Sequence, residues 1–159
     1  MKPIRRTEAK THEPLSHGPL DGIVGYHIAQ AAVTTYGLFE RHVGQPFGLR
    51  KVEFSLLALL MANGPVPPKR LAQALALTSP NLTLLLDRLQ ERALLKRVRN
   101  PADGRSQNIV LTDKGRRLAR DSTTASQPME RELLERLSRA EHAMLIELLC
   151  RLAGRSPPA

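Results

Sequence analysis

Apolar residues recur at helical spacing through most of the chain, and the places where that period breaks divide it into elements. From 20 or 21 to about 42, Ile23, Val24, His27, Ile28, Ala31 and Ala32, then Tyr36 and Phe39, mark a first long helix, ended by Gly44 and Pro46. Phe47 and Gly48 begin a turn into a second helix over 49–62, a core element with a stripe of Val52, Leu56, Leu59 and Leu60. Gly64-Pro65 and Pro67-Pro68 break the chain, and 69–77 resumes as a short helix with Leu71, Ala72 and Leu75 inward. In the next helix, 79–93, Leu82, Leu85, Leu86 and Leu89 fall at i, i+3, i+4 and i+7. Ser79 is placed to cap it, and Pro80 to fill its first turn, where a missing amide loses no bond. Asn81, Thr83, Asp87 and Arg88 are left on its other faces.

Two short β-compatible runs follow, 94–99 and 107–111, separated by the turn-rich Asn100-Pro101-Ala102-Asp103-Gly104. They predict a hairpin with a projecting tip. Beyond it, 113–127 is helical, Pro128 kinks or interrupts the helix, and a further helix covers 129–137. Ser138-Arg139-Ala140-Glu141 matches a capping box, so a last helix runs from there to about 153, with Gly154 and Pro157-Pro158 finishing it. Residues 1–18 show no apolar period and read as a flexible tail.

The fold class is therefore mainly α with a small β-ribbon. Two short helices joined by a tight turn, the second exposed at its N-terminal face, form a helix-turn-helix arrangement. Lys69 and Arg70 then lie near a nucleic-acid backbone, and the ribbon gathers Lys96, Arg97, Arg99 and Arg105, with Asp103 the only acid in that segment. A basic ribbon beside an exposed polar helix suits a DNA groove and its phosphates. The net charge of +9 and pI near 10.6 agree with a polyanionic partner. At 159 residues the expectation is one domain, 19–159, with a reader over about 49–112 and helices at about 20–43 and 113–154 left for dimerisation.

These residues carry a family resemblance. Leu89-x5-Leu95-x-Arg97, Asp103-Gly104-Arg105-Ser106 and Ile109-x-Leu111-Thr112-x-x-Gly115 resemble the winged-helix core of the MarR family of bacterial transcription regulators. The resemblance implies a winged helix-turn-helix domain with N- and C-terminal helices forming a dimerisation region. It implies that Arg105 is the wing-tip arginine entering the minor groove, that Asp103 orients it or a basic neighbour, and that Thr112 caps the next helix. Gly104 stands where a second arginine is common, and Ala93 where glycine is common. Relatives often bind a small anionic or phenolic effector between the dimer helices and the reader. In this chain Tyr26, His27, Gln30, Thr34 and Tyr36 would offer polar tips to it, and Leu20-Asp21-x-x-x-Gly25-Tyr26-His27 resembles members controlling breakdown of aromatic acids. An aromatic content of 3% leaves few rings for a stacked pocket.

Other chemistry finds little support. Five histidines are scattered without a short metal-ligand spacing, and no nucleophile motif, phosphate-binding loop or paired-carboxylate context occurs, so neither a metal, a cofactor nor an enzyme is expected. One cysteine, Cys150, excludes an internal disulfide and reads as a small buried side chain among leucines. No apolar run reaches the roughly 18 to 20 residues needed to span a bilayer, and no signal-like segment opens the chain, so a cytoplasmic location is expected.

The resulting expectation is a homodimeric, ligand-responsive repressor of a palindromic operator on double-stranded DNA. Ser79, Asn81 and Thr83 would meet base edges or phosphates. Arg88, Arg97, Arg99 and Arg105 would meet phosphates or the minor groove, with Lys69, Arg70, Asp103 and Ser106 beside them. The alternative is an architectural protein that coats DNA on charge without a preferred site.

Overall fold

The computed structural model describes residues 15–100 and 106–156. The tail expected at 1–18 lies outside them except for its last four positions. The chain divides between Thr34 and Thr35 into two compact units. In the first, a 3₁₀ turn, Gly18–Gly22, precedes α1, Val24–Phe39, whose last five residues belong to the second unit. The expected start at 20 or 21 is thus delayed, because Ile23 is extended (φ −100°, ψ 103°) and separates turn from helix.

In the second unit the helical path does not stop at Gly44 and Pro46. It continues through a π-helical segment, Glu40–Gly44, and α2, Gln45–Phe47, before Gly48 turns it at φ +59°. The wide turn bonds the Gln45 N–H to the Glu40 carbonyl, and Pro46 sits in a first turn, where it has no amide partner to lose. Gly44 lacks the Cβ that would collide with the Glu40 carboxylate lying over it.

The helices α3, Lys51–Asn63, α4, Pro68–Ala74, and α5, Ser79–Glu91, surround a leucine core. It holds Leu56, Leu57 and Leu60 of α3, Leu71 of α4 and all four stripe residues of α5. Each such side chain contributes about 1.5–3 kcal/mol relative to exposure. The expected α3 stripe is rotated slightly, since Leu57 is fully buried while Val52 and Leu59 are half-buried. Strands β1, Leu95–Arg99, and β2, Gln107–Leu111, pair antiparallel from Leu95↔Leu111 to Arg99↔Gln107. Val66 adds a single bridge to Ile109, with bonds of 3.1 and 2.9 Å, inside the stretch expected only to break the chain. Pro67 disfavours the helical region for Val66 and leaves it extended, ready to pair.

α4 and α5 end alike. After α5, the Ala93 N–H bonds Gln90 and the Leu94 N–H bonds Leu89, and after α4 the Ala76 N–H bonds Gln73 and the Leu77 N–H bonds Ala72. Both are Schellman closures, and both place alanine, not glycine, at positive φ (56° and 52°). A Cβ is strained there by about 1–2 kcal/mol, of which glycine returns about 0.5–1 kcal/mol as unfolded-state entropy. Ala93→Gly is therefore expected to stabilise the fold by about 0.5–1 kcal/mol, read as a higher midpoint in urea; an unchanged or lowered midpoint would refute the strain.

α6, Asp113–Leu134, continues past Pro128, so the expected interruption between 127 and 129 does not occur. In the turns before Pro128, Thr123 Oγ1 donates to the Ala119 carbonyl (2.7 Å) and Ser126 Oγ to that of Thr123 (2.8 Å). α7, Arg139–Leu152, starts at the expected capping box, with Ser138 Oγ accepting from the Glu141 amide and the Glu141 carboxylate from the Ser138 amide. Glu132 of α6 receives Arg41 at 3.1 Å and His42 at 3.2 Å from the π-helical segment.

The hydrogen bond from His42, opposed by desolvation and aided by the charge and bonds of Arg41, holds the Glu132 carboxyl below the usual carboxylate range; the Ser138 cap does the same for Glu141. A depressed folded-state pKa favours folding above the ordinary carboxylate pKa and loses that contribution as pH falls through the depressed value. An NMR titration should place the Glu132 midpoint below that of a free glutamate, and His42→Ala should raise it. A midpoint insensitive to that change would rule the contact out.

Candidate nucleic-acid interface

Helix α5 is fixed on three sides. Its buried stripe lies on the core. At its C-terminal end Arg92 bonds Glu53 Oε2 (3.4 Å) and the Gly48 carbonyl (3.1 Å), while Glu53, only 5% exposed, also accepts from the Arg50 amide (2.9 Å) at the start of α3. On the ribbon side Arg97 of β1 donates to Asp87 Oδ1 (2.6 Å) and Gln90 Oε1 (2.7 Å) of α5. These charge-assisted bonds tie ribbon and helix together. Sequence reasoning missed Arg92 and Glu53. Acid at the third position of a helix is a capping signal, but Arg50 rather than serine or threonine precedes it.

The junction from ribbon to α6 is equally close. Thr112 Oγ1 accepts from the Gly115 amide (3.0 Å), as the resemblance implied, and donates to the Ala93 carbonyl (2.7 Å). A Cβ on Gly115 would overlap the Leu94 carbonyl oxygen.

Among the residues expected to meet DNA, Ser79, Asn81, Thr83 and Arg88 are exposed along α5, Lys69 and Arg70 are exposed on the first turn of α4, and Arg99 is exposed on β1. The cap of α5 is Thr78, not Ser79, and its side chain makes no capping bond; Ser79 is the first helical residue. Thr83 Oγ1 donates to the Ser79 carbonyl (3.0 Å). Arg97 is the exception, half-buried and committed to α5. Ser106 is half-buried just before β2, and Asp103 and Arg105 lie outside the described residues. A cleft of about 500 Å³ opens beside this surface between Glu40, Arg50, Glu53, Arg88 and Arg92.

The residues suggested for an effector are placed differently. Tyr26 is half-buried with its ring 5.5 Å from those of His17 and His27, and His27 Nε2 is 2.9 Å from the Asp21 carbonyl. Gln30 and Thr34 are exposed. Tyr36 carries the Lys51 ammonium 3.2 Å above its ring. Cys150 is buried. Among the described residues no helix is long and apolar enough to cross a membrane.

Comparison with known proteins agrees with this geometry. Residues 47–106, spanning α3 to the ribbon tip, match the model of the MarR family. The HTH-type transcriptional regulator PecS of Dickeya dadantii is 33% identical over 121 residues, 72% of this chain and 73% of that protein. The transcriptional repressor CouR bound to a 23-mer DNA duplex superposes with a TM-score of 0.81 at 32% identity, covering 89% of this chain and 99% of that one. CouR bound to p-coumaroyl-CoA gives 0.77 at 30%, covering 88% and 98%. With its exposed reading helix, its ribbon wing and these relatives, the chain belongs to the MarR family of winged helix-turn-helix, DNA-binding transcription regulators.

Proposed function

We propose that this regulator is a cytoplasmic, homodimeric and ligand-responsive repressor of a pseudo-palindromic operator. The observation that carries the reading is the exposed face of α5, held to the wing by Arg97 and to α3 by Arg92. Ser79, Asn81 and Thr83 meet base edges or phosphates in the major groove. Lys69, Arg70, Arg88 and Arg99 meet phosphates, and Arg105, oriented by Asp103 and flanked by Ser106, enters the minor groove. Arg97 reaches DNA only by leaving Asp87 and Gln90, so its role here is to position the wing.

Pairing rests on α7, where Met144, Leu145, Leu148, Leu149 and Leu152 are 43–62% exposed. Such a row marks an interface, and a two-fold partner supplies the second half-site reader. The tail 1–18, reader 49–112 and dimer helices 20–43 and 113–154 are the working divisions. The ligand is an aromatic acid or its derivative. CouR, which binds p-coumaroyl-CoA, supports that class, and Tyr26, His27, Gln30, Thr34 and Tyr36 are the residues offered to it.

Selection of duplexes from a randomised pool tests this. The reading expects inverted repeats with half-site centres about 10 base pairs apart, released by an aromatic acid or its CoA thioester. Single, unpaired half-sites would refute the symmetric dimer, and retention under every aromatic acid and thioester would refute the ligand class. Arg105→Ala should weaken binding by about 1–3 kcal/mol and reduce the salt slope by about one. An unchanged slope would remove Arg105 from the contact.

A further inference from the structure

One large apolar side chain on the reading helix has no place in the core. Leu84 is 57% exposed, while Leu82, Leu85, Leu86 and Leu89 of the same helix are at most 6% exposed. At 100° per residue Leu84 stands about 200° from both Leu82 and Leu86, opposite the buried stripe. One flank of this face, Asp87 and Gln90, is occupied by Arg97. On the other, Asn81 and Arg88, with Leu84 itself at the edge, border a cleft with Arg50 and Glu53. Leu84 is thus central on the exposed face, between the wing and the basic edge of α3. Asn81 supplies an amide suited to adenine, and Arg88 supplies positive charge free of any ion pair among the described residues.

We propose that Leu84 is a specificity-determining residue that packs on the 5-methyl group of a thymine in each half-site. The inference rests on α5 being the major-groove reader. Thymine is the only DNA base that presents a methyl group there, and an apolar side chain among polar neighbours distinguishes it from cytosine, which presents an amino group. The contact also gives the exposed leucine apolar surface to cover.

Deoxyuridine, which keeps every hydrogen-bonding atom of thymine and lacks the methyl, isolates the contact. Operators selected by the intact protein are remade with deoxyuridine at one thymine per half-site in turn. The parent protein should lose about three- to fivefold per half-site at one position, the equivalent of one buried methyl group. Leu84→Ala, at an exposed position, should keep the parent's unfolding midpoint, bind more weakly, and bind thymine and deoxyuridine duplexes equally. Equal parent binding at every position, with preference over scrambled DNA intact, would overturn the Leu84 contact while leaving the reader in place. A deoxyuridine penalty that survives in Leu84→Ala would overturn it too. Loss of operator preference altogether would overturn the reader and this inference together.

Discussion

Gly115→Ala is expected to destabilise the protein by about 3 kcal/mol, the upper end of what overpacking costs. The new Cβ would overlap a backbone carbonyl oxygen, that of Leu94, not the end of a flexible side chain. Relief by movement is expensive, because that carbonyl accepts the Thr112 amide at 3.1 Å. Thr112 in turn bonds both Ala93 and Gly115, so the helix end, the first strand and the start of α6 shift together. Urea denaturation should show a lower midpoint at unchanged slope, and operator binding should fall with the folded fraction. A loss below about 1 kcal/mol would mean that α6 has room to retreat, contrary to the junction described.

If the proposed homodimer pairs through α7, Leu148→Glu is expected to separate it into folded monomers. Leu148 is 50% exposed within one chain, so the substitution is tolerated there, but in a symmetric interface it buries two unpaired carboxylates. At about 3–5 kcal/mol for each buried unpaired charge, the dissociation constant should rise more than a hundredfold. Sedimentation at micromolar concentration should give the monomer mass with helical content retained. A dimer as tight as the parent's would take the exposed α7 row out of the interface.

What was legible in the sequence was what local periodicity and capping determine. The four leucines of α5 are all buried as their spacing required, the ribbon strands fall within one residue of expectation, and Ser138 to Glu141 forms the box that its letters spell. What was not legible depends on groups far apart in the chain or on tolerance of a local rule. Val66 sits between prolines, and its pairing needs β2, some forty residues on. Pro128 donates no amide bond to the carbonyl four residues back, that of Thr124, yet α6 continues to Leu134, one lost bond in a helix of 22 residues. The charge of Arg97 was visible in the sequence, and its partners Asp87 and Gln90 were not. Ala93 marks the reverse case: the departure from glycine was legible, and the structure shows it at positive φ.

The most direct test of sequence-specific reading by α5 is the affinity of the purified protein for operators it selects from a randomised pool relative to a scrambled duplex of equal length at about 150 mM salt. The account predicts a ratio of about a thousandfold or more, lost when Asn81 and Leu84 are both replaced by alanine. Equal affinity for operators selected by the protein and for scrambled DNA, with the steep salt dependence of simple charge neutralisation, would contradict it.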